Sequence, residues 1–224
     1  MRNWYCADFS SHRKKKADSM LKFILKNNLY LMAALAVAVG VFLGTHWSSM
    51  PFSQRMIGLF FIAIVMHLWE EGRIPGGFVE MVAKHLHFTG KDLHFGEAIT
   101  AAYVLIIAFA PLCFPDEPFL AMAPMILGIL EAVVHVAVIR LFRLERFYSP
   151  GMLTAVFLLL PISLYSITYA ARHNLVPPWF WLFSFLYMLF GLAVAQQIVV
   201  RASGMKYTEF LRNVRTAFFG GRTK

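Results

Sequence analysis

Six apolar runs, each near the 20 residues or so that a helix needs to cross a hydrocarbon core, recur along this chain and leave little of it for anything else. They fall at roughly 28–47, 53–70, 94–113, 119–142, 150–171 and 178–200. Each run is apolar all round rather than alternating, which predicts spanning helices and speaks against a β-barrel. The expected fold class is all-α, a polytopic transmembrane helical bundle of about six spans. Only 15% of the residues are charged and the mean hydropathy is +0.62, whereas a soluble domain is about a quarter charged.

The net charge of +9 does not point to nucleic acid, because the basic residues lie between and beside the apolar runs, as expected of loops facing anionic lipid. With the N-terminus assigned to the cytoplasm, Arg55 and Arg172 are the only two of the 21 lysines and arginines that fall outside. That asymmetry predicts an N-in, C-in topology. Three parts follow: a basic cytoplasmic or interfacial segment 1–27, a six-span domain 28–200, and a basic tail 201–224. The first part carries Arg2, Arg13, Lys14, Lys15, Lys16, Lys22 and Lys26, with Trp4, Tyr5 and Phe9 available to the interface. It is too long and basic for a signal-peptide n-region, and no small-x-small cleavage site follows the first run, so that run is expected to be a retained span. In the tail, Tyr207, Phe210, Leu211, Val214 and Phe218 recur at helical spacing among Lys206, Arg212 and Arg215, the pattern of an interfacial amphipathic helix. Cys6 and Cys113 fall on opposite sides of the membrane in this topology, which forbids a bridge between them.

Ionisable residues at membrane depth are costly and therefore informative. The second run closes with His67-Leu68-Trp69-Glu70-Glu71, followed by Arg73-Ile74-Pro75-Gly76-Gly77-Phe78. Residues three and four apart share a helix face, so His67 lies over both glutamates. His94 and Glu97 open the third run at spacing three, and Glu131 and His135 sit inside the fourth at spacing four. At 1.5 Å per residue all of these reach the cytoplasmic third of the bundle, with His94 the shallowest. His85 and His87 alternate and read as surface residues.

Imidazoles and carboxylates converging from several helices are the donor set of a di-iron or di-manganese carboxylate centre, and equally suit one or two zinc ions. Thiolates are missing, which argues against soft metals. The candidate metal ligands are His67, Glu70, Glu97, Glu131 and His135, with His94 less central; Glu71 is the candidate general base, or a bridging carboxylate if two ions bind. The leading reading is a metal-dependent membrane enzyme acting on a lipid-like substrate, by metal-activated water or by di-iron oxidation, with zinc or iron ahead of manganese. The expected setting is the bacterial inner membrane, with the site facing the cytoplasm and anionic lipid at the inner surface; the oligomeric state is left open. Two other classes stand beside it: a proton- or cation-coupled transporter using the buried Glu and His, and a structural adaptor using the basic inner face.

His67-Leu68-Trp69-Glu70-Glu71 with Pro75-Gly76-Gly77-Phe78, Glu131 and His135, and Tyr148-Ser149-Pro150-Gly151 with Thr154 together resemble the HXXEE-motif family of integral membrane proteins. The resemblance covers about the second to the fifth run. It implies a site centred on the motif and supplies no reaction.

Overall fold

The computed structural model describes residues 3–86 and 93–219, with side chains described at 16, 19–86 and 94–218. Trp4, Tyr5, Cys6, Phe9 and the basic run 13–15 have side chains outside the described residues, and His87 and the loop 87–92 lie wholly outside them. The described residues form helices and no strands. They are α1 (Asn3–His46), α2 (Phe52–Gly72), α3 (Phe78–Leu86), α4 (His94–Cys113), α5 (Pro118–Leu141), α6 (Met152–Arg172), α7 (Pro178–Ala202) and α8 (Tyr207–Phe219).

Six of these are long and apolar enough to cross a membrane: α2, α4, α5, α6, α7 and the part of α1 from Ser19 to His46. The chain is a multi-pass membrane protein, with spans where the apolar runs predict them. The first run is not separate from the basic segment before it. One helix carries both, interrupted only at Asn27, whose φ of −111° and ψ of 16° leave the helical region.

Two spans are inner and four are outer. In the most apolar stretches of α2 and α5, 56% of residues are buried, against 17–33% for the others. The rest of each outer helix faces lipid, which is why α1 buries Leu29, Met32, Ala36, Val39 and Leu43 at helical spacing and exposes Tyr30, Val37 and Val41. The inner pair touch closely because Gly128 on α5 has no side chain. A Cβ there would strike Ser163 Oγ on α6 and lie 2.7 Å from the Phe60 ring of α2.

Two further spans are not uniform helices. In α4 the turn Leu105–Phe109 is π-helical and precedes Pro111; in α6 the turn Ala155–Leu159 is π-helical and precedes Pro161. Proline has no N–H to give and its ring crowds the carbonyl four residues back. Widening the preceding turn relieves that crowding inside a single span.

At the end where α2 and α5 finish, α3 and α8 lie across the bundle. Phe78, Met81, Val82 and Leu86 of α3 pack with Val138 and Phe142 and with Phe210, Val214 and Ala217 of α8. The Asn213 side chain donates to the Leu86 carbonyl at 2.9 Å. The amphipathic tail is thus a helix, with Phe210, Val214 and Ala217 on the bundle while Leu211 and Phe218 stay exposed; residues 220–224 lie outside the described residues.

Candidate metal centre

Because α2 and α5 are the inner helices, polar groups on their facing sides are enclosed by protein rather than lipid. His67 and Glu71 are one helix turn apart on α2, and Glu131 and His135 one turn apart on α5. The His67 Nε2 lies 3.6 Å from Glu71 Oε1 and 3.8 Å from Glu131 Oε2. The His135 Nε2 lies 3.2 Å from the same Glu71 oxygen and 3.9 Å from the same Glu131 oxygen. The two imidazoles meet edge to face at 5.0 Å. Both are fully enclosed, while the Glu71 and Glu131 side chains keep 17% and 23% of their surface open.

The turn between α5 and α6 sets the state of each ring. The Ser149 hydroxyl spends its hydrogen on the His135 main-chain carbonyl at 3.0 Å, so its oxygen can only accept from His135 Nδ1, 3.1 Å away. The Gly151 carbonyl, an acceptor only, stands 3.0 Å from His67 Nδ1, with the Thr154 hydroxyl also at 3.0 Å. Both rings therefore carry a proton on Nδ1 and turn Nε2 toward the carboxylates; in the neutral ring that Nε2 is a lone pair. This is how metal-binding histidines are oriented, through a partner on the other nitrogen. Gly151 itself adopts φ +97°, and a Cβ there would fall 2.5 Å from His135 Cε1 and 2.8 Å from Glu71 Cγ. The position must be glycine for both reasons.

With neutral rings and ionised carboxylates, the result is four acceptors facing one another. Of these, His135 Nε2 is buried without a hydrogen-bond partner despite its closeness to Glu71. An N–H on that atom would not aim along a hydrogen bond to Glu71, so a shared proton fits poorly, whereas an ion would need to lie on the axis of the ring nitrogen but not on the line to a carboxylate oxygen. Donor atoms about 2.0–2.2 Å from a tetrahedral zinc stand about 3.3–3.6 Å apart. The two spacings to Glu71, 3.6 and 3.2 Å, are close to that, and the two to Glu131, 3.8 and 3.9 Å, are longer. One donor atom each of His67, Glu71 and His135 lies within 4.8 Å of the others, a group able to hold a metal. On chemical grounds His₂Glu with a position left open suits zinc or iron.

Residues 58–166, which contain all four of these groups, match a family described as "Protein of unknown function with HXXEE motif". This stretch is an HXXEE domain. No curated protein and no solved structure matches the chain.

Within the HXXEE domain the two adjacent glutamates do different work. Sequence spacing makes Glu70 a ligand and Glu71 a base, but the structure turns Glu70 away from the cluster. One Glu70 oxygen accepts from the Tyr148 hydroxyl at 2.9 Å and the Leu153 N–H at 3.1 Å; the other accepts from the Thr154 N–H at 2.8 Å and its hydroxyl at 2.6 Å. A carboxylate so placed satisfies free N–H groups at the start of α6 and meets the positive end of its dipole. Burial and the bond to Glu70 push the Tyr148 hydroxyl up to about 12, which keeps it a donor at neutral pH. Consecutive helix residues point about 100° apart, so only one of the pair can face His135, and it is Glu71.

Glu97 and His94 are also not brought to the cluster. Arg73, just past the end of α2, grips Glu97 through two bonds of 2.6 and 3.0 Å, and His94 Nδ1 lies 3.3 Å from the same carboxylate. The bond to Glu97 holds the Arg73 guanidinium above its usual range. A carboxylate already paired with an arginine has no need of a metal.

Phe78 packs its ring 4.6 Å from His135, so the end of the Pro-Gly-Gly-Phe segment covers the site. Tyr148, Ser149, Gly151 and Thr154 are quoted in the resemblance, but the spacing of the ionisable groups gives them no role. The signal that could have found them is chemical: a Ser and a Thr flanking a Pro-Gly turn at the mouth of a span, where buried histidines need acceptors.

Proposed function

We propose that this chain is a metal-dependent integral membrane enzyme that hydrolyses an acyl, ester or amide bond in a lipid-like substrate. His67, His135 and Glu71 hold one divalent ion, zinc or iron, and Glu131 stands beside it as the general base. The observation that carries this reading is the pair of Nε2 atoms, oriented through Nδ1 by Ser149 and Gly151, that face two carboxylates with no lysine or arginine among them in the described residues. Such an ion brings the pKa of a bound water down to about 7. Glu131 is the farther of the two carboxylates from both imidazoles and the more open, which suits it to take and return a proton. A di-iron oxidation centre asks for four glutamates, and here Glu70 and Glu97 are committed to other partners. Hydrolysis is therefore favoured over oxidation.

The cluster is near the end of the bundle that bears most of the basic residues, which the positive-inside rule assigns to the cytoplasm. The reading accordingly sets the enzyme in a bacterial inner membrane, taking its substrate from the inner leaflet. Elemental analysis of detergent-purified protein tests it. About one equivalent of zinc or iron is expected, lost in His67→Ala and in His135→Ala but kept in Glu131→Gln. Metal-free protein that conducts protons or cations into liposomes would overturn it in favour of a relay or transporter.

A further inference from the structure

Two grooves run along the outer surface of the spans, and they differ in charge. One, of about 680 Å³, lies between α1, α2 and the start of α6 and has Val37, Gly40, Val65 and Met66 among its walls. Among the described residues its only ionisable wall is Glu70, whose oxygens are already bonded. The other, of about 870 Å³, is walled by Val133, Val136 and Ala137 of α5, Val156 and Leu160 of α6, and Ala217 of α8, and it ends at Arg140 and Arg143. Both volumes lie within the usual range of ligand pockets, about 300–1,000 Å³.

Arg140 and Arg143 are exposed, and among the described residues neither forms an ion pair. Arg143 also takes φ 50° directly after α5, where glycine is the usual occupant of the left-handed conformation. An arginine there keeps a cation at the mouth of the groove in a backbone conformation glycine would adopt more readily. From Arg140 to Val133 the groove follows α5 for about 10 Å toward the bilayer centre. Its shape is thus an apolar channel with two cations at the headgroup end.

We propose that this second groove is a binding site for an anionic phospholipid, with its phosphate on Arg140 and Arg143 and one acyl chain along Val133, Val136 and Leu160. The site is independent of the chemistry at His135. Charge complementarity selects this occupant: the groove on the α1 side offers a chain the same apolar wall but nothing to hold an anion.

Native mass spectrometry of the full chain in detergent tests the proposal, with equimolar phosphatidylglycerol and phosphatidylcholine of matched chains. One phosphatidylglycerol is expected to be retained at least about tenfold over phosphatidylcholine, since each basic contact near the surface favours anionic lipid. Millimolar inorganic phosphate should not displace it. The preference should vanish in an Arg140→Gln, Arg143→Gln double variant, binding should be blocked in Ala137→Trp, and both should survive Val37→Trp in the other groove. Thermal stability and a single monodisperse gel-filtration peak report on whether each variant is folded. Equal retention of the two lipids by the wild type, full displacement by phosphate, or a folded double variant that keeps the preference would each overturn the proposal. So would a double variant that loses stability without losing selectivity, since Arg140 and Arg143 would then serve only the helix dipole.

Discussion

Two polar clusters meet near one end of α2 and differ in where their positive charge comes from. Around Glu97 the protein supplies it: Arg73 closes a two-bond fork on the carboxylate, and His94 adds a third contact. Around Glu71, among the described residues, no lysine or arginine does so; two carboxylates face the Nε2 atoms of two imidazoles whose Nδ1 protons are turned the other way, toward Ser149 and Gly151. The first cluster is electrically complete and its residues hold α2 to α4. The second is the cluster to which the proposed metal ion would bring positive charge. Nearness of Glu and His in a membrane bundle is therefore weak evidence of a site, and the state of the imidazoles together with the whereabouts of arginine is strong evidence.

The contrast can be broken most forcefully at Gly151. Alanine there meets His135 and Glu71 and must hold φ +97°, a strained conformation costing about 1–3 kcal/mol. Gly151→Ala is expected to abolish metal retention while circular dichroism still reports a helical protein. A smaller effect is expected from Ser149→Ala, which frees the His135 ring to turn and should weaken metal affinity about 10–100-fold, measured by competition with a chelator of known affinity.

Glu70 sharpens the comparison differently, because it belongs to the motif yet not to the cluster. Glu70→Gln loses charge-assisted bonds to Tyr148, Leu153 and Thr154, and hydrogen bonds to charged groups contribute about 1.5–3 kcal/mol. The melting temperature should fall while metal stoichiometry stays near that of the wild type. Smallest of all should be the paired change Arg73→Met with Glu97→Gln. Each single variant strands a partly buried charge, but the double variant strands none. A double-mutant cycle on thermal stability should show the double variant less damaged than the sum of the singles, with metal content untouched.

Much of this was legible beforehand, for definite reasons. A bilayer demands continuous apolar segments, so the spans follow from the chain itself, and helical periodicity pairs His67 with Glu71 and Glu131 with His135 without any knowledge of packing. Periodicity could not say which of the neighbours Glu70 and Glu71 faces inward. That depends on α6 starting at Met152, more than 80 residues on, and offering bare N–H groups to one of them. Nor could it detach Glu97, whose partner Arg73 lies 24 residues away across a break between helices. The π turns before Pro111 and Pro161 were hidden for a related reason. Apolar composition marks a span but not the local winding that a proline imposes.

X-ray absorption at the metal edge of the purified protein tests the central claim most directly. The account predicts a bound zinc or iron whose nearest neighbours are two imidazole nitrogens and carboxylate oxygens at about 2.0–2.2 Å, with the imidazole signal reduced in His67→Ala. Protein that carries no such ion, or one whose nearest shell lacks imidazole, would contradict it.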